Sequence, residues 1–144
     1  KHFIAVDKKQ PADAFVAEWL EKLPQSYRAS LLKALDAQDK NDIPAAIEGY
    51  ERALNNAPES PVLLNNLAWS YYLEKDPRAE QVAKKAYELA PNSPAILDTY
   101  GWILVESGKV SEGISYLERA ANLAEGNAEI QQHLDEARAR LKKQ

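Results

Sequence analysis

At 144 residues, 45% apolar and 28% charged, the chain has the make-up of an ordinary globular domain. Its formal net charge of −4 is spread without long runs of one sign, which argues against a surface built for nucleic-acid phosphates. The absence of cysteine excludes disulfides and thiolate-held metals, and no apolar run approaches the roughly 18 residues of a membrane-spanning helix. The sequence opens at Lys1 without an initiator methionine or a signal-like apolar core, and is read as an excised part of a longer chain.

In chain order, four short segments share one ruler. Ala12, Trp19 and Pro24 are followed by Ala46, Ala53 and Pro58, by Ala79, Ala86 and Pro91, and by Gly113, Ala120 and Glu125. The end markers at 24, 58, 91 and 125 lie 34, 33 and 34 residues apart, a fixed interval that signals an internal repeat. Small residues seven apart sit on one helical face, where a neighbouring helix can approach closely, and the proline that follows stops the helix.

Partner helices fall between these segments. Ser26 is placed to cap a helix from about Tyr27 to Asp39, and Asp42 before Ile43-Pro44 starts the next. Ser60-Pro61 and Ser93-Pro94 put a capping hydroxyl ahead of a proline in the first turn. Asp76-Pro77 is read the same way for a helix ending near Ala90, and Gly108 as the reversal inside the last pair. Asn127 is expected to cap a final helix to about Lys142, polar apart from Ile130, Leu134, Ala137 and Leu141, as suits the end of a stacked array. No period-two alternation bounded by hairpin turns competes with this all-helical reading.

The middle of the chain carries the clearest echo. Leu64-Asn65-Asn66-Leu67-Ala68-Trp69 and Tyr71 return thirty-three residues later as Leu97-Asp98-Thr99-Tyr100-Gly101-Trp102 and Leu104. With Ala46-x₃-Tyr50, Ala79-x₃-Ala83 and Gly113-x₃-Leu117 in the second helices, this pattern resembles the tetratricopeptide repeat (TPR). The resemblance implies an all-α solenoid of antiparallel helix pairs wound as a right-handed superhelix. It divides residues 1–144 into a partial repeat at 1–25, repeats at 26–59, 60–92 and 93–126, and a capping helix at 127–142. Two departures stand out. Ser30, Lys33 and Ala37 occupy places where bulky packing residues are usual, predicting a thin interior there, and the 60–92 repeat is one residue short at Lys75-Asp76-Pro77. A narrower resemblance, to TPR proteins of the bacterial envelope associated with exopolysaccharide export, implies a periplasmic or envelope location, with the cytoplasm as the alternative.

A TPR array exposes its first helices along a concave groove that takes a peptide or helix of a partner protein. Arg28, Leu35, Gln38, Asn65, Trp69, Tyr72, Asp98, Trp102 and Val105 are the residues of these helices not committed to packing. From them the candidate partner-binding groove is drawn as Leu35, Asn65, Trp69, Tyr72, Asp98, Trp102 and Val105. Trp69 and Trp102 fall at equivalent positions, and tryptophan is enriched where interface energy concentrates. A tryptophan beside a small residue is equally readable as structural packing, and both readings stay open at this stage. Gripping of a terminal carboxylate is rejected, because Leu31, Leu35, Ala95 and Thr99 stand where cations are required and only Asn66 fits. No nucleophile–base pair, phosphate loop or metal-ligand spacing is present; His2 and His133 are far apart, and His133 on the end helix is expected to be exposed. The chain is therefore read as a non-enzyme with no cofactor and no metal, binding a protein or peptide, neither nucleic acid nor a bilayer. The alternative is a spacer or self-assembling segment of a longer array, associating through an N-terminal edge with Phe3, Ile4, Phe15 and Val16.

Overall fold

The structure, a computed structural model, describes residues 25–144, with side chains from Arg28 onward. The Ala12–Trp19–Pro24 segment and the Phe3, Ile4, Phe15 and Val16 edge lie outside the described residues, as does the partial repeat at 1–25 apart from Gln25. Seven helices follow one another: α1 (Gln25–Asp39), α2 (Ile43–Asn56), α3 (Pro61–Leu73), α4 (Ala79–Leu89), α5 (Pro94–Glu106), α6 (Val110–Leu123) and α7 (Ala128–Lys142). No strand is found among the described residues. Each helix packs on the next, and in addition α3 touches α5 and α5 touches α7. The result is an all-α solenoid of antiparallel pairs, α1/α2, α3/α4 and α5/α6, closed by the single helix α7.

The apolar pattern assigns each helix its layer. In α2 the buried residues Ile43, Ala46, Gly49, Tyr50 and Ala53 form one stripe at helical spacing, so one face packs and the other meets water. In α3 every residue from Leu63 to Tyr71 is buried, and in α5 every residue from Ile96 to Val105. Helices apolar over most of their circumference must lie between neighbours, and α3 and α5 do.

The pairs close through small residues. A β-carbon on Gly113 would lie 2.5 Å from the Gly101 carbonyl oxygen and 2.6 Å from Val105 Cγ2. One on Gly49 would meet Ala34 Cβ at 2.6 Å, so α1 crosses α2 and α5 crosses α6 at backbone contact. The small residues Ala46, Ala53, Ala86 and Ala120 are all 0% exposed. The interior of the first pair is not thin, as Ser30, Lys33 and Ala37 had suggested. Lys33 points to solvent, and the volume comes from the opposite helix: Tyr50 is fully buried and its hydroxyl donates to Gln38 Oε1.

The turns repeat as faithfully as the helices. Asn41, Lys75 and Gly108 have φ of 59°, 58° and 91°, and end the first helix of each pair. The following N–H then reaches back to the carbonyls of Ala37, Tyr71 and Leu104 at 2.8, 2.8 and 2.9 Å, closing the helix with a left-handed C-terminal cap. Glycine announced this turn only at Gly108. Asn41 tolerates the conformation, whereas Lys75 is held in it by the turn. Asp42, Ser60, Ser93 and Asn127 cap α2, α3, α5 and α7 as expected, each side chain accepting from the N–H three residues on. Three expectations change. Gln25 already belongs to α1, so Ser26 lies inside the helix. Asp76 does not cap α4; its carboxylate accepts from the Arg78 N–H at 2.9 Å, forming a local turn, and α4 begins at Ala79. Leu141 is 40% exposed rather than packed.

Gly113→Ala is expected to cost about 1–3 kcal/mol through overpacking, lowering the urea midpoint followed by far-UV circular dichroism. Gly108→Asn, with open space around its β-carbon and a residue that accepts positive φ, should leave that midpoint nearly unchanged.

Candidate partner-binding site

Rings from α3, α5 and α7 meet on one face. Trp69 packs against Tyr72 with ring centroids 4.8 Å apart, and Trp102 Nε1 donates to the Tyr72 hydroxyl at 3.1 Å. The His133 imidazole stacks on Trp102 at 4.6 Å and 19°, and lies 6.4 Å from Trp69. Helix α5 stands between α3 and α7, yet side chains of the outer two helices approach ring to ring across it. That happens on the inside of a bend, so this is the concave face of the array.

Charge is arranged around the rings. His133 Nδ1 lies 2.9 Å from Asp98 Oδ1, with the Asp98 side chain 2% and the His133 side chain 13% exposed. The Arg140 guanidinium sits 5.0 Å from the Trp102 centroid, a cation over an aromatic face, and pairs with Glu106 at 2.5 Å and Glu136 at 2.9 Å. Burial, with the neighbouring Glu106 adding to it, holds the Tyr72 hydroxyl above the usual tyrosine range, although the Trp102 bond pulls the other way. Trp102 is thus flanked by two side chains of α7, His133 and Arg140.

The structure brings together Trp69, Tyr72, Trp102 and Val105, which share one cluster. Asp98 joins them through His133. Leu35 stands apart: it is half-buried and packs against the neighbouring cluster that contains Leu31, Ala34 and Leu67. Trp69 and Trp102 are 7% and 6% exposed, so both rings are structural members of the concave face, not free anchors. Asn65 is 0% exposed, and among the described residues neither its amide nitrogen nor its amide oxygen has a hydrogen-bond partner; the Thr99 hydroxyl is in the same position.

His133 corrects an expectation, since it is largely buried instead of exposed. It and Arg140 are the site residues that sequence reasoning missed. A signal for His133 existed: it follows Thr99 by 34 residues and Asn66 by 67, the same place in the repeat carried into the end helix. Arg140 had no such signal, because the groups that draw it to the site, Glu106 and Trp102, come from α5. Among the described residues no group of histidine and carboxylate side chains is arranged to hold a metal ion. No described helix is long and apolar enough to cross a membrane.

No family model matches the sequence. The chain is 26% identical over 117 residues to a TPR repeat-containing protein of Pseudomonas aeruginosa, covering 79% of this chain and 20% of that protein. It is 34% identical over 82 residues to the photosystem I assembly protein Ycf3 of a Synechococcus species, 54% of this chain and 47% of that one. It therefore spans less than half the length of either relative. Among solved structures, the first TPR domain of RPAP3 (Spaghetti), bound to an HSP90 peptide, superposes with a TM-score of 0.75 at 23% identity, over 82% of this chain and 94% of that one. The fold is that of a TPR solenoid.

His133→Ala removes a hydrogen bond and a ring stack at once. It is expected to cost about 1–3 kcal/mol in urea unfolding and to shift tryptophan emission to the red as Trp102 gains water.

Proposed function

We propose that this chain is a non-catalytic interaction scaffold that holds a peptide or helix of a partner protein against the concave face, around Leu35, Asn65, Trp69, Tyr72, Asp98, Trp102 and Val105. One observation carries the reading: Asn65, one turn before Trp69, buries an amide whose two polar atoms have no hydrogen-bond partner among the described residues. A buried unpaired amide costs about 1–3 kcal/mol, a cost that a ligand backbone offering one carbonyl and one N–H removes. Because Asn65 is covered in the free protein, the partner reaches it by displacing the side chains that cover it.

The HSP90 peptide bound by the RPAP3 domain is not carried over to this chain. Leu31, Leu35, Ala95 and Thr99 supply no cation for a terminal carboxylate, and Arg140 is engaged by two glutamates. We also propose the division into repeats at 26–59, 60–92 and 93–126 with 1–25 a partial repeat and 127–142 the cap. The setting we favour is a bacterial envelope or exopolysaccharide-export assembly, on the resemblance of the Leu64–Trp69 and Leu97–Leu104 runs; cell fractionation of the parent protein tests it. The spacer alternative rests on Phe3, Ile4, Phe15 and Val16, outside the described residues, and predicts a sedimentation coefficient that rises with concentration.

The two roles of Asn65 separate in one substitution. Asn65→Leu should leave the free protein as stable or more stable in thermal unfolding, while partner recovery on immobilised protein falls. Unchanged recovery with Asn65→Leu and with Tyr72→Ala, both folded by circular dichroism, would overturn the concave-face reading.

A further inference from the structure

The irregular pair of the array holds a second surface. Aligning the small residues Ala46, Ala79 and Gly113 shows that α2 and α6 begin three residues before this position, at Ile43 and Val110, whereas α4 begins at Ala79 itself. The one-residue shortening at Lys75-Asp76-Pro77 therefore removes most of a first helical turn. In its place lies a cleft of about 730 Å³, at the edge where α3 ends, α4 begins and α5 ends. This edge is distinct from the Asn65 end of the concave face; Tyr72 and Glu106 border both.

Tyr72, Pro77, Ala79 and Ile103 give the lining an apolar part, set among Asp76, Glu80, Glu106 and two lysines. Its carboxylates are committed. Asp76 is held by Arg78 at 2.8 Å, Glu80 by Lys109 at 2.8 Å, and Glu106 by Arg140 at 2.5 Å, the three cations standing outside the lining. Two ammonium groups on the rim are not committed. Lys75 and Lys84 are exposed, and neither ammonium group takes part in a hydrogen bond or ion pair among the described residues. Lys75 is projected there by its left-handed turn, φ 58°.

We propose that this cleft docks an acidic segment of a partner polypeptide, with an apolar side chain resting on Tyr72 and Pro77 and carboxylates meeting Lys75 and Lys84. Tyr72 and Pro77 contribute the burial, and the lysines select acidic over neutral sequences by charge complementarity. The surface goes beyond the concave-face reading and does not depend on it.

A short fluorescein-labelled peptide alternating leucine with aspartate serves as the probe, with an asparagine-for-aspartate version as control, read by fluorescence anisotropy on the whole chain. Saturable binding of the acidic probe is expected, weakened by salt and reduced at least about tenfold by Lys75→Asn with Lys84→Glu, exposed positions where the fold is kept. Asn65→Leu should leave probe binding intact, which separates this site from the concave face. Equal binding of the neutral peptide, no saturable binding, unchanged affinity in the double variant, or loss of binding in Asn65→Leu would each overturn the proposal.

Discussion

The array depends on how closely the two helices of a pair approach. At Gly101 and Gly113 a carbonyl of one helix occupies the space where a β-carbon of the other would be, and Ala34 with Gly49 repeats the arrangement in the first pair. Close crossing leaves no room for side chains at the axis, so bulky residues are pushed to the flanks, where they bridge to the next pair. Tyr50 shows this: it enters from α2, fills the interior beside α1, and accepts a hydrogen bond from Asn66 Nδ2 of α3 at 3.5 Å. Tyr87, Tyr100 and Tyr116 do the same further along, with centroids 4.8–5.5 Å apart. The pairs are thus coupled mainly through large side chains, and united within themselves by small ones.

That division explains what could be read from the residues alone. Small residues at fixed spacing and serine–proline helix starts are local, and they located α2, α3, α5, α6 and α7 closely. Elements whose form is set by tertiary contact were less visible. The turn at Lys75 has the same left-handed geometry as Gly108 without a residue that favours it, because the C-terminal hydrogen bond from Asp76 N–H to the Tyr71 carbonyl imposes it. The helix start after Asp76-Pro77 moved for a related reason: Arg78 forks onto the Asp76 carboxylate through Nε and Nη, and the local turn wins over a cap.

The repeat spacing brought Trp69, Tyr72, Trp102 and Val105 together, and they do pack in one buried cluster. The closure of the concave face was not legible. The curvature that brings α7 over Trp102 is a property of stacked pairs rather than of any one repeat. His133 looked like a solvent residue until its repeat position was followed into the last helix. Burial of both tryptophans changes what the face is: a consolidated inner wall, and not a row of loose aromatic hooks.

The missing turn at the head of α4 leaves the helices on either side undisturbed, because the shortening is absorbed where the backbone is already irregular. Length changes at such corners do not propagate as a phase error down the stack. The rim that carries them is therefore where an architecture of this kind can diversify cheaply, acquiring new contours while its inner curvature stays as it was.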